Sequence, residues 1–296
     1  MVEASGLTHE NMKIREPALF CPALFLLIFS VLPTSMIAAD RFQFTTRSDH
    51  PIDEVCTALE AQFHWRISYE DAPVFDRDDL KNGTAPNGVP WLVLRDVPAA
   101  VDVPIETNMP ASARGKTLQS ILDSHRLSGG RAGFTVTQNG DIIHVMATSV
   151  KGADGKNQPF EPLLDTKISL VRGRYDLWTL VTTILSQVSQ IRGIPITIGT
   201  VSTNLFTMGV TEEANNEAAR DILVRAFEDI NGTRYAQHVD PVRLVWYMNY
   251  DPNGRMYFFN VHNVGPEVQS VNTQPAPAPM PQGKGRPNGP MPLPQQ

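Results

Sequence analysis

Gly115–Thr148, GKTLQSILDSHRLSGGRAGFTVTQNGDIIHVMAT, is the stretch that decides the fold. Its first part is typical of a helix, because Thr117 is placed to cap a start and Gly129-Gly130 to end it. The apolar residues that recur there at helical spacing are Leu118, Ile121 and Leu122. Apolar and polar residues then alternate on both sides of Asn139-Gly140, the pattern of a β-hairpin. The stretch predicts a helix followed by a hairpin.

This unit closes a longer series of elements, and the same series recurs in the second half of the chain. Before it, alternating segments at 41–47 and 64–69 flank an apolar helical stripe. After it, 167–171 and 194–198 flank another stripe, and a further helix leads to a hairpin that turns at Asp251-Pro-Asn-Gly254. The predicted order of elements in each half is strand, helix, strand, strand, helix, strand, strand. The sequence predicts an α+β fold of two tandem small domains, each with two helices packed on a small mixed sheet.

The N-terminus has the pattern of an export signal. Lys13 and Arg15 precede an apolar run at 18–32, and small residues then offer a cleavage site between Ala39 and Asp40. An uncleaved anchor is the alternative, although Pro22 and Pro33 interrupt the run. We expect an exported protein of the periplasm or cell envelope of a bacterium, with no membrane span after signal removal.

Proline, glycine and polar residues mark the remaining boundaries. The region 70–100 has no sustained period, and the last segment is too poor in large apolar residues to bury a core. The predicted organisation is a signal peptide at 1–39, a first α+β domain at 40–148 with an insertion at 70–100, a linker at 149–165, a second α+β domain at 166–263 and a disordered Pro-rich tail at 264–296.

Composition excludes some functions. The net charge of −6 and the pI near 5.6 argue against a nucleic-acid-binding protein, which usually carries a basic surface. Of the two cysteines, Cys21 lies in the apolar run, so Cys56 remains alone after cleavage. We interpret Cys56 as a buried, inert thiol of a helix.

Four short segments of the first half carry a resemblance. They are Thr57-Ala-Leu-Glu-Ala-Gln62, Ile67-Ser-Tyr69, Thr117-Leu-Gln-Ser-Ile-Leu122 and Asp141-Ile-Ile-His-Val145. With these segments the first half resembles the short N-terminal domain shared by secretins and TonB-dependent receptors; the second half resembles it only in element order. The resemblance implies a periplasmic module for protein–protein interaction.

No catalytic motif, phosphate-binding loop or paired-cysteine metal site occurs. His144 and His262 stand near the ends of the terminal strands of the two halves, yet we interpret them as rim residues rather than metal ligands. The acidic run at Asp76–Asp79 lacks the oxygen spacing of a calcium loop. We therefore predict no catalytic residue, no metal and no cofactor. Whether the protein is an enzyme stays open, the alternative being a periplasmic hydrolase with a site between the domains, built from residues such as Glu70, Asp71, His125 or His238.

Bulky residues crowd the second hairpin on both faces. The residues we select as a partner surface are Trp246, Tyr247 and Tyr257. The first functional hypothesis is an exported, non-catalytic interaction or scaffolding module that docks an envelope protein by a sheet edge or by this hairpin. The sequence does not identify the partner or the oligomeric state.

Overall fold

Strands and two helices alternate in the first half of the chain. The computed structural model describes residues 40–84, 88–106, 109–201, 208–236 and 242–265, with only the backbone at 40 and 232–236. The elements of the first half are β1 (Asp40–Ser48), α1 (Pro51–Phe63), β2 (Arg66–Glu70), β3 (Leu80–Thr84), β4 (Pro90–Leu94), β5 (Val97–Ile105), α2 (Ala111–Leu127), β6 (Ala132–Asn139) and β7 (Ile142–Lys151).

The second half follows the predicted order as well. Its elements are β8 (Asn157–Pro159), β9 (Lys167–Asp176), α3 (Leu177–Arg192), β10 (Ile196–Ile198), β11 (Gly209–Ala218), α4 (Ala219–Ala236), β12 (Leu244–Asp251) and β13 (Met256–Asn263). The predicted linker at 149–165 is a structured part of the fold: β8 pairs with β7, and Leu163 and Leu164 are buried because they join the core of the second half.

The two halves repeat the same strand pairings. We leave out the β3–β4 insertion and β8 when counting strands. The first and third strands of each half then form an antiparallel ribbon, β1 with β5 and β9 with β11. The second strand runs parallel to the last, β2 beside β7 and β10 beside β13. The last two strands form antiparallel hairpins, β6–β7 and β12–β13. The structure is thus a mixed α+β fold with four helices among the described residues.

A single sheet runs through both halves. Its order is β10-β13-β12-β2-β7-β6, with β8 attached to β7. The halves join where β12 pairs in parallel with β2, Tyr247 opposite Tyr69 and Met248 opposite Glu70. All the described residues belong to one compact unit. The prediction of two separate domains is not confirmed, because backbone pairing makes the two small sheets continuous.

The helices of the two halves cover opposite faces of this sheet. Successive residues of a strand point to opposite faces. Tyr247 joins the core around α1 and α2, whereas its neighbours Trp246 and Met248 join the core around α3 and α4. In β7, Ile143 and Ile142 divide between the two cores in the same way. Corresponding strands of the two halves therefore run in opposite directions, and the helices of the two halves lie on opposite faces of the sheet.

Some local predictions need correction. Helix α2 begins at Ala111, and the Thr117 hydroxyl donates to the Ala113 carbonyl oxygen (3.2 Å) within the helix instead of capping it. The insertion forms the two-stranded β3–β4 hairpin, where one short strand is expected. Gly140 takes the left-handed conformation that the predicted Asn-Gly turn requires, with φ of 61°.

Other predictions fall partly or wholly outside the described residues. These are the signal at 1–39, His238 and the tail from 266 onward. Among the helices that the structure does describe, none combines the length and the apolar character that crossing a membrane requires.

Candidate functional site

The three aromatic residues predicted to form a partner surface are buried. Trp246 and Tyr257 are fully buried and Tyr247 is 6% exposed. Trp246 and Tyr257 lie in the core beneath α3 and α4, where the ring of Phe227 meets Trp246 edge-on at 5.9 Å. The prediction is corrected because one face of β12 packs on its own helices and the other on the first half. The surface that Tyr247 contacts belongs to the same chain.

Tyr247 occupies a groove between α1 and the edge of β2. Its ring meets Tyr69 edge-on at 5.9 Å, and Thr57 on α1 lies close enough to its hydroxyl to affect its pKa. Burial raises the pKa of Tyr247 well above its usual value, so the phenol stays neutral. Two residues later on the same face, the Asn249 side chain donates to Asp53 of α1. The first half therefore holds β12 as a docked strand.

We call the contact of β12 with β2 and α1 the joint between the halves. Hydrogen bonds to backbone groups complete it. The Asp71 amide donates to the Met248 carbonyl oxygen at 2.9 Å. The Asp71 carboxylate accepts from the Tyr250 amide at 3.4 Å, and the buried Arg66 guanidinium donates to the Leu244 carbonyl oxygen at 3.0 Å. An edge strand exposes unpaired amides and carbonyls, and a docked strand satisfies them.

Buried charged residues stabilise the joint on the face of the sheet that α3 and α4 cover. Arg220 of α4 pairs with Glu70 of β2 and, at 2.9 Å, with Asp165. Burial raises the pKa of Glu70 although Arg220 acts to lower it. Burial alone would lower the pKa of Arg220, but the carboxylates of Glu70 and Asp165 outweigh it and raise the pKa. Glu70 serves as a structural partner of an arginine, which is the role of many buried charges.

The residues named for a hydrolase are only partly brought together. Asp71 and His125 both line a cavity of about 20 Å³, while Glu70 lies in the joint and His238 falls outside the described residues. Asp71 is bound by His50 at 2.9 Å; burial acts to raise the Asp71 pKa, but His50 outweighs it and lowers the pKa. The cavity has room for roughly one water molecule, so no substrate fits in it.

The other residues weighed as metal ligands hold structural positions. His144 is buried and its Nδ1 lies 2.5 Å from the Ser68 hydroxyl, whereas His262 pairs with Glu60 at 2.8 Å on the opposite face. Asp76 accepts the amide of Asp78 at 2.9 Å in a short 3₁₀ turn. Within the described ranges no group of three or more His, Cys, Asp or Glu side chains could hold a metal ion.

The other half has a second groove of the same kind, which no described residue fills. It runs between α3 and the edge strand β10 and has a volume of about 300 Å³. Its walls include Trp178, Thr182 and Ser186 on α3 and the strand residues Ile196 and Ile198. We call it the α3 groove.

The backbone of β10 offers bonding groups along this groove. Pro195 accepts from the Tyr257 amide and Gly199 donates to the Phe259 carbonyl oxygen, both at 2.9 Å, so these alternate residues face β13. The amides and carbonyls of Ile196 and Ile198 therefore face the groove. Within the described part of the chain these groups have no hydrogen-bond partner.

The two grooves correspond position by position. The buried stripes of the two helices share one spacing, Ile52, Val55, Cys56 and Leu59 in α1 and Leu177, Leu180, Val181 and Ile184 in α3. Aligning them places Trp178 at the position of Asp53, Thr182 at that of Thr57 and Leu185 at that of Glu60. The three positions of the first half that contact the β12–β13 hairpin thus correspond to three of the positions that line the α3 groove.

Sequence reasoning missed the residues of this groove. The usable signal was Trp178, a large aromatic residue outside the apolar stripe of an amphipathic helix, followed on the same side by Thr182 and Ser186. Comparison with protein-family models, with curated proteins and with solved structures finds no match to this chain.

Proposed function

We propose that this chain is an exported, non-catalytic protein-interaction module of the bacterial cell envelope that docks an extended strand of a partner in the α3 groove. One observation carries the proposal: the groove of α1 and β2 holds a strand, and the corresponding groove of α3 and β10 is unfilled by any described residue. Adding a strand to an exposed sheet edge is a common mode of peptide recognition.

The proposal includes the finer domain description. The chain consists of two copies of one α+β unit, each with two helices on a small mixed sheet, joined edge to edge. The repeated ribbon, parallel pair and hairpin support the duplication. The element order of the first half also agrees with the resemblance to the secretin and TonB-receptor domain.

The groove defines the chemistry of the strand that fits it. In the joint, Asp53 and Glu60 bind the polar side chains of Asn249 and His262. Trp178 and Leu185 replace those two carboxylates in the α3 groove. A partner strand should therefore place apolar or aromatic side chains against α3 and run parallel to β10, as β12 runs parallel to β2.

Export places the partner in the envelope. The predicted signal supports this location, and the proposed partner is accordingly a protein of that compartment and not nucleic acid. The hydrolase alternative gains no support from the water-sized cavity beside Asp71.

A synthetic strand tests the docking mode. The probe is a fluorescent nine-residue peptide that alternates threonine with valine, tyrosine and valine and ends in lysines. We expect it to bind the chain with a Kd of about 100 μM, measured by fluorescence anisotropy, since a single docked strand buries little surface. Thr182 is exposed in the groove, so Thr182→Arg should fill the groove without unfolding α3 and weaken binding by about tenfold or more.

Two further variants sharpen the result. Ile198→Pro removes an amide that faces the groove and leaves the bonds to β13 intact, so it should also weaken binding. Gln190→Arg adds the same charge at an exposed position of α3 outside the groove and should leave binding unchanged. Equal binding by wild type, Thr182→Arg and Ile198→Pro, or binding by none of them, would refute docking in this groove.

A further inference from the structure

The β3–β4 hairpin and the β12–β13 turn enclose a second, larger cleft. Its volume is about 840 Å³, within the range of ligand-binding pockets of about 300–1,000 Å³. Asn253 of the β12–β13 turn binds the β3–β4 hairpin at the cleft. Its side chain accepts from the Leu92 amide at 2.7 Å and donates to the Leu92 carbonyl oxygen at 2.6 Å. The cleft is separate from the α3 groove, with which it shares no lining residue.

Positive charge collects in this cleft although the chain is acidic overall. Four cations line it, Arg77, Lys81, Arg95 and Arg255, and none of its described lining residues is acidic. Lys81 is neutralised by Asp96 at 2.7 Å. The other three form no ion pair with any described residue, in a chain of net charge −6. Arginine is suited to carboxylates because its planar guanidinium can bind both oxygens.

Apolar side chains line the same cleft. Phe75 is 47% exposed and Leu92 is 40% exposed, and Val74 and Pro252 extend the apolar wall. Large apolar side chains grouped at the surface mark interaction sites. A ligand that fits this lining carries negative charge and apolar side chains together.

Arg255 is held in an unfavourable backbone conformation at the rim. Its φ is 48°, in the left-handed region that glycine adopts readily and arginine does not. Non-glycine residues in such conformations concentrate at functional sites. Burial raises the pKa of Tyr250 at the cleft, and Arg255 lies close enough for its positive charge to offset part of that rise.

We propose that this cleft binds an acidic peptide segment of a partner protein, with carboxylates on Arg95 and Arg255 and an apolar side chain against Phe75 and Leu92. A peptide supplies both kinds of group, whereas an inorganic anion supplies only charge. The chain's own residues 266–296 do not match, since they set one acidic residue, Glu267, against Lys284 and Arg286.

The test uses a labelled twelve-residue peptide in which glutamate alternates with leucine and phenylalanine. Fluorescence anisotropy should show binding to the full chain that weakens as salt rises, because screening reduces charge attraction. Arg255→Gly should weaken binding at least tenfold and leave the protein as thermally stable as wild type or more so, since glycine relieves the left-handed φ. Loss of binding cannot then come from unfolding.

Matched probes test whether binding depends on the carboxylates and whether it is independent of the α3 groove. A peptide with glutamine in place of glutamate should bind at least tenfold more weakly, and Thr182→Arg in the α3 groove should bind the acidic peptide as wild type does. Equal binding of the glutamine peptide, or unchanged binding by Arg255→Gly, would overturn the proposal. Tighter binding of a sulfated oligosaccharide than of the acidic peptide would overturn it as well.

Discussion

Single buried polar residues determine how the halves fit together. Glu70, Arg220 and Asp165 are joined across β2, α4 and the segment before β9. Glu70 and Arg220 are buried and Asp165 is partly exposed, and either buried charge would be costly alone because an unpaired charge in the interior loses its hydration. Their pairing links α4 of the second half to β2 of the first half. Polar residues therefore help to specify the joint that apolar packing stabilises.

His144 gives this part of the core a defined pH response. It is buried against the Trp246 ring at 5.5 Å, and burial, followed by the charges of Arg220 and Arg66, lowers its pKa to about 3. Between pH 6.5 and that value the unfolded chain binds a proton that the folded chain does not. Stability should therefore fall as pH falls through this window, by up to about 1.4 kcal/mol per pH unit from this residue.

The check is urea unfolding of wild type and His144→Gln at several pH values from 7 to 4. The variant keeps a hydrogen-bonding side chain beside Ser68 but cannot titrate, so its free energy of unfolding should decline less steeply toward acid. His262→Gln is the control, because that imidazole is more exposed. Identical slopes for wild type and His144→Gln would contradict the assignment.

Among the elements, the two outer strands of the shared sheet, β6 and β10, differ in whether a side chain covers their outer edge. The outer edge of β6 is occupied by Gln119 of α2, whose amide donates to the Phe134 carbonyl oxygen at 3.1 Å and accepts from the Val136 amide at 2.7 Å. This side chain imitates the backbone of a neighbouring strand. Strand β10, at the other end, has no such cover among the described residues. Covering one edge limits unwanted edge-to-edge association.

Removing this cover should promote association. Gln119→Ala frees the edge of β6, which corresponds in the repeat to β12, the strand that docks on β2. We expect larger species in sedimentation velocity as the concentration rises, together with a loss of about 1–2 kcal/mol from two hydrogen bonds. Ser120→Ala, at an exposed neighbouring position, should stay as wild type. A Gln119→Ala variant with unchanged sedimentation would show that the edge needs no cover.

Elements with strong local patterns were predictable, and contacts between distant elements were not. The stripes of α1 and α3 and the Asn-Gly hairpin of β6–β7 gave correct elements because period and turn chemistry act locally. The start of α2 was wrong, since Ala111 to Lys116 have no apolar period and Thr117 offered a false cap. The pairing of β12 with β2 has no local signal, so the sequence predicts a partner surface at Tyr247 where the structure has a contact with the first half.

For the whole molecule, the way the halves are joined matters most. Each half presents one groove between a helix and a sheet edge, and the joint uses the groove of the first half and the hairpin of the second. Such a head-to-tail contact does not close on itself, so among the described residues the second groove has no strand docked in it. The same contact that builds the molecule thus provides a model for how it would bind a partner.

Amide hydrogen exchange of the free protein tests this claim most directly. The Asp71 amide, bonded to Met248 in the filled joint, should exchange slowly, at a rate set by opening of the fold. The amides of Ile196 and Ile198, on the edge of β10 that no described residue covers, should exchange at least about a hundredfold faster and slow down when the strand peptide is added. If Ile196 and Ile198 are protected as strongly as Asp71 before any peptide is present, the groove is already filled and the account is contradicted.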